Sequence, residues 1–85
     1  MFMRYEKIYV GVIAKFSELG GLRPLEIIWT DGQRFTVDRV KFIERAPSKV
    51  GGILTTRYTV IVGGFTKLLY YESHVERWFV ERKIE

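Results

Sequence analysis

The feature that most constrains this chain is an alternation of apolar residues with a period of two, repeated along most of its length. It is clearest near the N-terminus, where one set of alternate positions is wholly apolar: Ile8, Val10, Val12, Ala14 and Phe16. Successive side chains of a β-strand point to opposite faces, so this pattern predicts a strand with that set toward a core. No stretch shows the apolar stripe of an amphipathic helix, which indicates an all-β chain.

Length and composition favour one small domain, residues 1–85. There is no Cys and only one His, which excludes disulfides, thiolate metal sites and histidine-rich metal sites. Hydrophobic residues make up 47% of the chain, too many for a disordered protein. We therefore expect a packed domain that uses no cofactor.

The apolar segments are too short for a membrane protein. None approaches the ~18 residues that cross a bilayer. Near the N-terminus, Arg4, Glu6 and Lys7 interrupt the apolar pattern that a signal peptide would need. The sequence predicts a cytoplasmic protein that does not act at a membrane.

The segment around Asp31-Gly32 predicts a β-hairpin, and its side-chain pattern sets the length of the turn. A two-residue turn would place polar residues opposite apolar ones on both faces. A three-residue turn, residues 30–32, pairs Ile27 with Phe35 and brings five apolar residues to one face: Leu25, Ile27, Trp29, Phe35 and Val37. We therefore predict a type I turn with Gly32 in the left-handed region, forming a G1 bulge.

The apolar pattern changes phase soon after this hairpin. Phe35 and Val37 occupy odd positions, whereas Val40 and Phe42 occupy even ones. One regular strand cannot point both pairs inward, so we predict a bulge or sharp bend near Asp38-Arg39. Small barrels need bends of this kind to curl their sheets.

Three more strands are predicted in the second half of the chain. The residues assigned to the inner face are Tyr58, Val60, Val62, Leu68, Tyr70, Trp78 and Val80. Gly63-Gly64 is read as a hairpin turn. The predicted architecture is all-β, a six-stranded antiparallel meander curled into a small barrel of the SH3-like kind, because an open sheet would leave an apolar face uncovered.

The sequence does not support an enzyme. Ser73 and His74 are adjacent in a predicted turn, and a catalytic triad needs three groups that converge in space. Asp31 and Asp38 are assigned structural roles at the turn and the bend. The Gly-Gly pairs do not open helices followed by Lys-Ser or Lys-Thr, as a phosphate-binding loop would require.

A second apolar set is predicted to point outward and is larger than expected for a barrel exterior: Ile13, Ile28, Ile61, Leu69, Tyr71 and Phe79. Three explanations stay open. The barrel is flattened and buries some of them, the set forms a homodimer interface, or it binds another partner. Ile13, Ile28, Ile61 and Leu69 are the interface candidates. The leading hypothesis is a binding or assembly module whose partner is a protein or a second copy.

The alternative hypothesis is a nucleic-acid-binding domain. Residues 33–71 carry seven basic and only two acidic residues, so the middle of the chain is its basic part. Aromatic side chains on strands can stack bases while cations follow the phosphates. The candidate residues, for nucleic acid or another partner, are Arg34, Lys41, Arg57, Tyr71, Arg77 and Phe79.

Three segments together resemble a known group of sequences. Residues 24–40 hold a Trp-turn-Phe hairpin, 57–60 read Arg-Tyr-Thr-Val, and 77–81 read Arg-Trp-Phe-Val-Glu. In these the chain is similar to a group of small uncharacterised all-β proteins of Gram-positive bacteria. The shared motifs are those of a fold, so the resemblance implies a bacterial β protein and supplies no site residues.

Overall fold

A computed structural model describes residues 4–18 and 20–84, which form one antiparallel sheet of seven strands. The strands are β1 (Arg4–Phe16), β2 (Leu22–Ile28), β3 (Arg34–Thr36), β4 (Arg39–Pro47), β5 (Leu54–Val62), β6 (Phe65–Glu72) and β7 (Arg77–Ile84). The all-β prediction is confirmed. The predicted number of six strands is wrong, because the bend near Asp38 divides the third predicted strand into β3 and β4. Within the described ranges, no helix is long and apolar enough to cross a membrane.

The order of strands in the sheet is β3-β2-β1-β7-β6-β5-β4. The long strand β1 joins the two halves of the molecule, since Arg4–Val10 pair with β7 and Gly11–Phe16 pair with β2. Gly11 lies at this change of partner, where an added Cβ would approach the Ile28 Cβ to 3.2 Å. The mid-strand glycine thus allows the close packing of β2.

The bend between β3 and β4 brings the two ends of the sheet together. These strands are the outermost in the sheet, yet only two residues separate them in the chain. The Val37 amide donates to the Leu25 carbonyl of β2 (2.9 Å), and the next amide, Asp38, donates to the Ile61 carbonyl of β5 (2.8 Å). The sheet must therefore curl like a barrel. The bend therefore lies at the predicted place. The register of β4 also shifts between Val40 and Phe42, which pairs Phe42 with Thr59 and leaves it 61% exposed, so the expectation that Phe42 points inward with Val40 is wrong.

The hairpin between β2 and β3 forms as predicted. Ile27 pairs with Phe35, the Gly32 amide donates to the Trp29 carbonyl (2.9 Å), and Gly32 has a φ of 89°. The Trp29 amide donates to the Gln33 carbonyl at 2.8 Å, which closes the bulged turn. This confirms the three-residue turn and the G1 bulge.

The core lies inside the curl. Its buried residues are Ile27, Tyr58, Val60, Leu69 and Trp78, and Val10, Val12 and Ala14 of β1 pack against them. The Tyr58 hydroxyl donates to the Leu22 carbonyl at 2.7 Å, which ties β5 to β2 through the core. The predicted inward set of β1 is confirmed for these three positions. Phe16 is an exception, with 83% of its surface exposed at the end of the strand.

The predicted phase of β6 is wrong. The two-residue Gly63-Gly64 turn pairs Val62 with Phe65, and this register sets Leu69 opposite Tyr58. Paired residues of an antiparallel sheet share a face, so Leu69 and Tyr71 point inward, whereas Leu68 and Tyr70 lie on the other face. Tyr71 accordingly packs against the core, and Leu69 is fully buried.

Candidate functional site

Strands β6 and β7 separate soon after their shared turn. Only three residue pairs join them, of which Tyr70 with Phe79 is the last. Continuing that register would place Leu69 opposite Val80 and Leu68 opposite Glu81, but neither pair forms. From there residues 65–69 pair only with β5, and residues 80–84 pair only with β1. Two strand edges therefore face each other across an opening in the sheet.

This opening, the β6–β7 cleft, has a volume of about 900 Å³. Such a volume lies within the range of ligand-binding pockets. Most of the lining surface is apolar. The apolar residues come from three elements: Ile27, Trp29 and Phe35 of the β2–β3 hairpin, Val62, Phe65, Leu68 and Leu69 of the β5–β6 hairpin, and Val80 of β7. The polar lining residues are Tyr5, Asp31, Gln33, Lys49, Gly63, Thr66, Lys67 and Glu81.

The cleft explains why some apolar residues that were expected to be buried are exposed. Phe35 is 39% exposed and Leu68, predicted to point inward, is also 39% exposed. Phe65 is the most exposed of the apolar lining residues at 68%. Large apolar side chains exposed together beside a concavity are typical of a binding surface.

The edge of β6 contributes more of the cleft lining than the edge of β7 does. Its residues 65–69 all line the cleft, whereas β7 contributes Val80 and Glu81. Among the described residues, no backbone group outside β5 pairs with this part of β6. An open edge presents a row of amide donors and carbonyl acceptors to any extended chain that reaches it.

Hydrogen bonds to Glu81 hold the rim of the cleft on the β7 side. The Glu81 carboxylate accepts from the Lys49 amide (2.6 Å) and the Ser48 hydroxyl (3.0 Å) of the β4–β5 loop. Tyr70 lies against the same carboxylate. Burial, together with Glu81, raises the pKa of Tyr70 to about 12, so its hydroxyl remains a donor at neutral pH. This rim is thus fixed before any ligand arrives.

The four predicted basic site residues do not converge. Arg34 is exposed on β3 and lies 3.5 Å from Glu26, and Arg57 on β5 forms a 2.7 Å ion pair with Glu44. Lys41 is exposed at the β4 bulge, with its ammonium 5.9 Å from the Phe42 ring. Arg77 stacks on Tyr9, its guanidinium carbon 3.6 Å from the ring centroid. None of the four lines the cleft.

Neither of the two aromatic candidates presents a fully exposed ring. Phe79 is fully buried on the outer face, with the Tyr70 ring stacked 4.9 Å away and the Lys7 ammonium 4.7 Å from its centroid. Tyr71 points inward and packs against Trp78 at 4.7 Å. Phe79 therefore cannot serve as an exposed stacking platform, because Tyr70 and Lys7 cover it, whereas Tyr71 is only partly buried.

The predicted interface set does not form one exposed patch. Leu69 lies in the core, which removes it from any surface. Ile13, 40% exposed, and Ile28 belong to the β1–β2 part of the sheet, whereas Ile61 lies on β5, with β7 and β6 between these groups. The flattened-barrel explanation accounts for Leu69 and Phe79, which are fully buried.

The residues with predicted structural roles take those roles. The Asp31 carboxylate accepts from the Gln33 amide of its own turn (2.9 Å), and Asp38 accepts from the Gly63 amide (2.9 Å). Ser73 and His74 are exposed in the turn before β7. In the described part of the chain, no three His, Asp or Glu side chains cluster as a metal site would require.

Sequence reasoning missed the cleft because it depends on where two strands part. Its one available signal was the two-residue Gly63-Gly64 turn, whose register already places Leu68 outside and Leu69 inside. An exposed Leu68 beside an exposed Phe65 would then have marked the β6 edge.

Comparisons with known proteins add no family to these observations. No protein-family model, no curated protein and no solved structure matches this chain.

Proposed function

We propose that this domain is a protein-binding module that takes an extended segment of a partner into the β6–β7 cleft. The observation that carries the proposal is the open edge of β6 beside an apolar lining. Main-chain hydrogen bonds to residues 65–69 would supply affinity, and the apolar walls would receive alternate side chains of the segment. Phe65 and Leu68 are exposed on opposite faces of this edge strand, so alternate side chains of the segment would lie beside each of them.

The exposed surface of the cleft suits an extended segment of a partner better than a folded domain. A cleft of about 900 Å³ suits a few side chains, whereas a standard protein–protein interface needs a broad patch. Phe65, Phe35 and Leu68 supply apolar area close to free backbone groups. A segment that is already extended in its free state could contact the apolar side chains and pair with the backbone groups at the same time.

A capped heptapeptide of alternating Val and Thr is the direct probe. We expect its titration to shift the amide resonances of residues 65–69 and to slow hydrogen exchange at the alternate residues whose amides point away from β5. The same peptide with N-methyl groups at alternate positions should not bind, because it lacks the donors that pair with β6. Shifts confined to other strands, or none at millimolar peptide, would overturn the proposal.

Two exposed phenylalanines, one inside the cleft and one outside it, distinguish specific binding at the cleft from nonspecific hydrophobic binding. Phe65→Ser removes an exposed cleft residue, and Phe42→Ser removes one that is 61% exposed on β4, outside the cleft. We expect the first change to weaken peptide binding about ten-fold, a typical cost of losing a buried aromatic contact, and the second to leave it unchanged. Equal losses would contradict a specific site.

A second copy of the chain is the competing occupant of the cleft. Sedimentation over a range of protein concentrations tests it. If the chain forms dimers in which residues 65–69 become protected, self-assembly replaces the partner segment and the proposal fails. A monomer that binds the peptide supports it.

Nucleic acid binding has one observation in its favour. Arg39, Lys41 and Arg45 are exposed on the edge strand β4, and none of them forms an ion pair with another described residue. Phe42 beside them is an exposed ring. Binding of oligo-dT at low salt, lost in Lys41→Glu with Arg45→Glu, would support this second candidate. The charges on an edge strand also serve to block edge-to-edge association, which is why we rank it second.

We also propose a finer description of the fold, as a small barrel of a known kind. A barrel of the SH3-like kind is supported by the curl, by the change of partner along β1 and by the bend shared between β2 and β5. A cytoplasmic location and the lack of an enzymatic activity stay predictions from the sequence.

A further inference from the structure

The charged groups that line the β6–β7 cleft differ in how they are satisfied. Each of the two carboxylates already accepts backbone hydrogen bonds. Asp31 accepts from the Gln33 amide, and Glu81 accepts from the Lys49 amide and from Ser48. Each carboxylate thus has at least one partner within the fold.

The two ammonium groups of the cleft are not satisfied in this way. Lys49 has its Nζ 4.5 Å from the Tyr5 ring centroid, and Lys67 has its Nζ 5.7 Å from that of Phe65. Neither forms an ion pair within residues 4–18 and 20–84. An ammonium carries three donors, and a ring face takes up none of them as a carboxylate would.

These two lysines stand on different walls. Lys67 belongs to the open edge of β6, and Lys49 lies on the β4–β5 loop that Glu81 holds against β7. A segment paired with β6 would pass between them. The chain as a whole carries a net charge of +4, which also favours approach by an acidic partner.

We infer that the segment bound in the cleft carries acidic side chains on either side of its apolar residues, with Lys49 and Lys67 receiving the carboxylates. This inference rests on the proposed function and adds the chemistry of the partner to it. The apolar lining selects the centre of the segment, and the two ammonium groups select its flanks.

Three capped heptapeptides test this inference. They share a centre of alternating Thr and Val and end in Thr, in Glu or in Lys at both ends. At low salt we expect the Glu-ended peptide to bind about ten-fold more tightly than the Lys-ended one, as two partly exposed ion pairs would give. The preference should shrink at high salt because screening weakens exposed charge pairs.

Charge reversal in the protein supplies the second arm. Lys49→Glu with Lys67→Glu should invert the preference, so that the Lys-ended peptide binds more tightly. Lys15→Glu with Arg23→Glu is the matched control, since both cations are exposed outside the cleft and the net charge changes equally. If the reversed protein does not fold, Lys49→Gln with Lys67→Gln should abolish the preference.

The outcomes separate the inference from the proposed function. If all three peptides bind equally, or the control variant changes the preference as much as the cleft variant, the inference is overturned while peptide binding stands. If none of the three peptides binds, the proposed function itself fails.

Discussion

At the scale of single residues, one buried carboxylate organises the outer face of the sheet. Glu72 is 4% exposed, accepts from the Tyr9 hydroxyl at 2.9 Å and forms a 3.1 Å ion pair with Lys7. Lys7 also lies over Phe79, and Arg77 stacks on Tyr9. Burial by itself would raise the pKa of Glu72, but its bonds to Tyr9 and Lys7 outweigh burial and lower it.

Glu72 should therefore stabilise the fold in its charged form. A carboxylate whose pKa is lower in the folded chain adds stability above its unfolded pKa and loses it as the pH falls through the folded value. We expect Glu72→Gln to lower the free energy of unfolding by about 2 kcal/mol at pH 7, since a buried charged hydrogen-bond partner is lost. The difference from the natural protein should disappear in acid.

Urea unfolding measured from neutral to strongly acidic pH checks this prediction. Glu44→Gln is the control, because Glu44 pairs with Arg57 at a half-exposed site where an ion pair is worth less than about 1 kcal/mol. If Glu72→Gln lowers the free energy of unfolding by the same amount at every pH, the side chain stabilises the fold through its shape and not through its charge.

At the scale of elements, turns set the register and register decides which side chains are buried. The bulged turn at 30–32 and the two-glycine turn at 63–64 each fix a hairpin, and the second one places Leu69 inside and Leu68 at the cleft. The positive φ values of Gly63 and Gly64, 57° and 83°, fit the tight turn that joins β5 to β6. A single change of turn length would exchange core and cleft residues.

Gly32 provides the test at this scale. Its φ of 89° lies where a side chain is strained, and no atom lies within 4 Å of an added Cβ, so Gly32→Ala adds backbone strain without a clash. We expect a loss of about 1–2 kcal/mol in the free energy of unfolding. Gln33→Ala, next in the chain and exposed, should cost less than about 0.5 kcal/mol. Equal stability of both variants, measured by urea unfolding, would contradict the role given to this turn.

At the scale of the whole molecule, the curl depends on contacts between elements far apart in the chain. The Tyr58 hydroxyl reaches the Leu22 carbonyl across 36 positions of sequence, and the bend at Val37 and Asp38 links β2 to β5. The opening between β6 and β7 lies in the same curled sheet. Beyond the opening, β6 stays paired with β5 and β7 stays paired with β1. The site is thus a property of the curl, and no single hairpin contains it.

Tyr58→Phe measures the tie across the core. The change keeps the ring but leaves the Leu22 carbonyl without its donor, so we expect a loss of about 1–2 kcal/mol in unfolding free energy. Tyr71→Phe is the control, because the Tyr71 hydroxyl has no hydrogen-bond partner among the described residues. If both changes cost the same, the hydroxyl of Tyr58 does not hold the two parts of the sheet together.

The sequence by itself determined that the chain is all-β, and it determined the bulged turn and the position of the bend, because each depends on neighbouring residues and on the period of side chains along a strand. Residues 30–32 and the change of phase near Asp38 were sufficient for this. Only the tertiary structure decided that Phe79 is covered by Tyr70 and Lys7, and that β6 and β7 part after Tyr70. Pattern tells which residues share a face, whereas the twist and curl of the whole sheet decide what covers that face.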